Sequence, residues 1–142
     1  MVGFFSYSGG VYTYARRDVF VRVTDYRQAH GLFLRYSPDP EIVLLAEGDF
    51  LYQSIAAHGH RPGFAALAQA DWEPMQGVHF LLTGESKNEG GPDETPSFGT
   101  WFSAVWFFAP HVDVRFDDVY QRLGGSNPTD VVTLLAQLHV YL

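Results

Sequence analysis

Apolar positions recur along this chain with two periods, and the period decides what each stretch is expected to form. Val11 to Ala15 and Val19 to Val23 are rich in β-branched and aromatic residues. They read as two strands, with Val19, Val21 and Val23 on one face. Thr24-Asp25 then reads as a cap for a helix reaching about Tyr36. Ser37-Pro38-Asp39-Pro40-Glu41 reads as a stop followed by a new helix start, with Asp39 accepting from the first free N–H groups. Ile42, Leu45, Ala46, Leu51 and Ile55 continue a helical stripe, and Phe64 to Trp72 predicts a short Ala-rich helix.

The second half mixes the same signals. Gly77 to Thr83 predicts a buried strand, and Gly84 to Ser97 a long polar loop. Phe98 to Phe108 carries apolar residues on both faces, which predicts a covered central strand broken by Pro110. Val112, Val114 and Phe116 alternate with His111, Asp113 and Arg115, the pattern of a half-exposed strand. Asp117 to Leu123 predicts a short helix. Val131, Leu134, Leu135, Leu138 and Leu142 fit a C-terminal one. The sum is a single α+β domain over residues 1–142. It has an antiparallel or mixed sheet of about five strands, with helices packed on it.

Composition narrows the class. The chain has 142 residues, 46% apolar and 18% charged, which argues for a folded core rather than disorder. With no cysteine, disulfides, zinc ribbons and thiol nucleophiles are excluded. The first residues lack the basic and apolar regions of a signal peptide, and no apolar run approaches the roughly 20 residues of a helical membrane span. The expectation is a cytoplasmic protein without a membrane partner.

Net charge is −7 and unevenly placed. Residues 1–36 hold five arginines against two aspartates, whereas residues 37–100 hold ten acids against Arg61 and Lys87. That central excess repels phosphate backbones, arguing against nucleic acid, and attracts cationic partners. Glu85, Glu89, Asp93 and Glu94 in the expected loop, with Trp72, Glu73 and Tyr120 beside them, form the candidate partner-binding set.

Catalytic signals are thin. No nucleophile elbow and no phosphate-binding glycine loop is present, and Lys87 is the only lysine. No cofactor is implied. The leading expectation is therefore a non-enzymatic, acidic inhibitory module that binds and blocks a basic protein. Bacterial immunity proteins and antitoxins, which neutralise nuclease-like toxins, are similar in size and charge. One alternative is a small hydrolase or lyase using His111 and Asp113, with His58 and His60 able to share a metal. Another is a homo-oligomeric structural or adaptor subunit, for example a homodimer.

Overall fold

The computed structural model describes residues 1–14, 22–55, 59–91 and 95–141. Its described secondary structure is one eight-stranded antiparallel sheet in simple meander order. The strands are β1 (Val2–Tyr14), β2 (Arg22–Asp39), β3 (Ile42–Ile55), β4 (Gly59–Met75), β5 (Val78–Asn88), β6 (Ser97–Ala109), β7 (Val112–Leu123) and β8 (Thr129–Val140). Each pairs with its sequence neighbours. Among the described residues β1 and β8 meet no further strand, so the sheet has two free edges.

The α+β expectation is thus overturned. The stretches expected as helices lie in strands instead: Thr24 to Tyr36, Ile42 to Ile55 after a turn at Pro40-Glu41, Phe64 to Trp72, Asp117 to Leu123 and Val131 to Val140, with Leu142 outside the described residues. So does the first part of the expected loop, Gly84 to Asn88. The expected strand at residues 19–23 lies partly outside the described residues. The physical reason is that these stretches also satisfy a period of two. Phe64, Ala66, Ala68, Ala70 and Trp72 alternate without a break, as do Val132, Leu134, Ala136, Leu138 and Val140. Alanine's helix preference is worth only tenths of a kcal/mol per residue, and pairing on both flanks overrides it.

Two-residue turns close one end of the sheet: Pro40-Glu41, Gln76-Gly77 and Pro110-His111. A register shift precedes each of them. Gly77 and His111 both occupy the left-handed region, at φ +80° and +64°. Asp39 does accept from a free N–H, that of Glu41 at 3.0 Å, but the bond closes a turn rather than opening a helix. The three turns are built alike. The carbonyls of Glu41, Gly77 and His111 accept from the amides of Glu73 in β4, Phe107 in β6 and Tyr141 just past the end of β8. At the opposite end the connections run to between three and eight residues.

The register is also staggered. Ile42, the first residue of β3, pairs with Trp72 and through it Phe80, but the next turn lies two residues beyond Phe80, at Val78. Val78 aligns with Trp106 and Val114, and the third turn again lies two residues further, at Val112. Two residues of slip for every two strands is about 3.3 Å per 4.8 Å of lateral step. It corresponds to strands tilted by about 35° from the perpendicular to the turn-bearing rim.

Candidate functional site

Because partners in the ladders are even with even and odd with odd outside the turn bulges, even-numbered strand residues share one face of the whole sheet. That face is apolar and exposed. It carries Phe4, Leu32, Leu34, Leu44, Phe50, Phe64, Leu82, Phe102, Phe116, Leu134 and Leu138. Among the described residues no hydrophobic side chain is buried at all. The expected core, including the covered strand at Phe98 to Phe108, is therefore absent. Phe98, Phe102, Trp106 and Phe108 are open on one side of β6, and Gly99 and Ser103 are buried on the other.

The apolar face is organised by depth. Tyr36, Trp72, Phe80, Trp106 and Phe108 lie toward the short turns. Trp72 leans on Phe80 with ring centres 5.8 Å apart, and Trp106 on Phe108 at 5.5 Å. Tyr26, Tyr52, Phe64, Phe98 and Tyr120 form a second aromatic line toward the long connections. There Tyr52 stacks on His60 at 5.5 Å and Phe98 tilts against Tyr120 at 6.0 Å. Between the two lines stand Leu34, Ala46, Ala68, Leu82, Ala104 and Leu134. Eight to ten residues separate the lines on β2, β4 and β6, which at this tilt is a band about 25 Å high. At this tilt eight strands span about 47 Å along the rim, so its area is roughly 1,200 Å². The largest apolar patch on an ordinary water-soluble monomer is about 300–600 Å².

Polar residues on this face keep mainly to the rim beyond the second line. Tyr52 bonds His60 at 2.6 Å, Tyr120 donates to Asp130 at 3.1 Å, and Arg122 lies 4.0 Å from Asp130. The departures within the band include Gln28, which donates to the Tyr26 hydroxyl at 2.8 Å, His30, bonded to Ser6 at 2.9 Å, Thr100, and Asp118, which stands between Phe102 and Leu134.

The odd-numbered face holds most of the charge. On β7 and β8, Asp117 accepts from Ser103 at 2.5 Å, from Arg115 Nε at 2.8 and 3.0 Å, and from Gln137 at 3.1 Å. Asp113, 1% exposed, meets His139 Nδ1 at 3.0 Å and accepts from the Tyr141 hydroxyl at 2.7 Å, which raises the Tyr141 phenol. Further across, His79 lies 3.1 Å from Asp71 and 3.8 Å from Glu73.

The expected partner-binding residues fall on both sides of the sheet. Trp72 and Tyr120 belong to the apolar face. Glu73 and Glu85 belong to the charged face, where Glu73 accepts from the Gly77 amide at 2.9 Å and Glu85 from Gln121 at 3.4 Å. Glu89 is paired with Lys87 at 2.5 Å, and the Lys87 bond and charge hold its carboxyl below the usual value. Asp93 and Glu94 lie outside the described residues, as does His58. His111 sits in a turn, and the imidazole on Asp113 belongs to His139 instead. No cluster of three metal-ligating side chains occurs among the described residues. His139 could have been found from sequence only by pairing β7 with β8.

Comparison with known protein families, curated proteins and solved structures finds no match. No helix among the described residues is long and apolar enough to cross a membrane, an observation that does not bear on spanning by strands.

Proposed function

We propose that this sheet is the wall of a membrane-spanning antiparallel β-barrel, with its apolar face against lipid and its charged face toward a polar lumen. The observation that carries the reading is the exposed apolar band of about 25 Å between two aromatic lines. Barrels of the outer-membrane type show an outward apolar band of about 25 Å with aromatic girdles at both interfaces. Their strands tilt by about 35–45°, and they have short turns at one end with longer loops at the other. Strand length, stagger, turn asymmetry and face alternation all agree with that arrangement. In lipid the missing apolar core is no deficit, because hydrocarbon covers the side chains that a core would otherwise enclose.

The reading has a structural consequence at the edges. Unpaired backbone groups in hydrocarbon cost several kcal/mol each, so β1 and β8 require further strands to close the wall. The function that follows is to bound a polar passage or binding chamber in the membrane. It replaces the expectation of a cytoplasmic inhibitor, whose Trp72–Glu73 patch is divided between opposite faces.

The three tryptophans supply the test. Trp72 and Trp106 stand on the apolar face, 49% and 57% exposed, whereas Trp101 is on the charged face. Single-tryptophan variants reconstituted with brominated lipid should show strong quenching at Trp72 and Trp106 and weak quenching at Trp101. Equal quenching of all three, or a protein that stays in the aqueous phase and ignores the lipid, would sink the proposal.

A further inference from the structure

On the charged face, toward the long connections, Arg27, Gln53 and Arg61 are aligned across β2, β3 and β4. With its amide oriented to satisfy both ends, Gln53 accepts from Arg27 Nη2 at 3.1 Å and Nε at 3.2 Å. Lys87 lies in the same cleft of about 300 Å³, together with Tyr7, Leu51 and Glu89. The chain is tightly packed beside Arg61 and Glu89: a Cβ on Gly63 would collide with the Asn88 carbonyl and crowd Glu89, and one on Gly90, at φ +80°, would collide with the Pro62 carbonyl.

Three cations line this cleft against one carboxylate, in a chain whose net charge is −7. That carboxylate, Glu89, is already engaged by Lys87. Arg61 Nε is buried and has no hydrogen-bond partner among the described residues. A buried guanidinium donor without an acceptor is costly, and an oxyanion is the group that two arginine forks and an ammonium bind best.

We infer that this cleft is a binding site for a small oxyanion, a phosphate or carboxylate group, held between Arg27 and Arg61 with Lys87 as a third charge. The inference does not depend on what covers the apolar face. Glu89 acts as the resident counter-charge that an incoming anion displaces from Lys87.

The test is calorimetric titration of the folded protein at low salt with inorganic phosphate and, separately, with citrate. Binding should weaken as salt rises. Arg61→Ala and Arg27→Ala should each lose about tenfold in affinity. Arg61→Lys should keep part of it, because a point charge remains where the fork is lost. Arg115→Ala, which removes a cation already paired to Asp117 elsewhere on this face, should bind as the parent does. Binding of phosphate alone would make the site phosphate-selective, and binding of both would make it a general oxyanion site. No heat with either anion at about 10 mM, a concentration at which a millimolar Kd would register, overturns the inference. So does an Arg61→Ala variant that binds unchanged. Lipid quenching of Trp72 and Trp106 is scored separately, so the two readings fail independently.

Discussion

On β7 and β8 one backbone serves two solvents. Phe116, Leu134 and Leu138 stand open on one side, while Asp113 and Asp117 are buried in hydrogen bonds on the other. In a water-soluble sheet packed on a core, the relation is reversed: apolar residues are enclosed and charges face water. Here Asp113 and Asp117 are satisfied by polar neighbours, while among the described residues nothing encloses the apolar side chains. The contrast teaches that the sheet is organised around its polar face, and on the barrel proposal its apolar face meets lipid.

The largest effect that should separate the faces comes from a cation placed in mid-band. Ala68→Arg should lower the stability of the membrane-inserted protein by about 2–4 kcal/mol, whereas Gln69→Arg, one residue on and facing the other way, should change it by under about 1 kcal/mol. Urea titration of lipid-refolded protein measures both, and equal effects would erase the distinction between the faces.

Next is the network on the charged face. Asp117→Asn keeps the shape but removes the charge that Arg115 and Gln137 address, at an expected cost of about 1–3 kcal/mol at neutral pH. Urea titration of the lipid-refolded parent and variant measures the difference, and equal stabilities would show that the charge adds nothing to this network.

The smallest effect tests the exception. Asp118 is a carboxylate on the apolar face between Phe102 and Leu134. Asp118→Leu should be neutral or stabilise the inserted protein by up to about 1 kcal/mol, acids being less costly on a lipid face than Arg or Lys. A clear loss of stability in the same urea titration would show that the carboxylate has a partner.

Parts of this architecture were legible in the residues. Val112 to Phe116 alternates cleanly, Phe98 to Phe108 is dense in aromatics, and Pro110 marks a break; all three keep their places in β6, β7 and the turn between them. Asp39 and Pro40 mark a break that the residues placed between two helices, where the structure has a turn between two strands. Val131, Leu134, Leu135 and Leu138 misled because Leu135 and Val131 belong to the opposite face from Leu134 and Leu138. With apolar residues on both faces, a strand of twelve residues also satisfies helical spacing. The oxyanion cleft could not be read at all, since Arg27, Gln53, Arg61 and Lys87 come from four strands.

The sequence by itself determined the alternation, the breaks and the aromatic density, because these are local properties of neighbouring side chains. Only the tertiary structure decided that every even-numbered strand position shares one face, because that depends on the register of seven ladders together. The same ladders set the tilt, gather the aromatics into two lines, and bring the charges of distant strands onto one surface. A period of two says that a strand has two sides; which solvent each side meets is settled by what its neighbours place beside it.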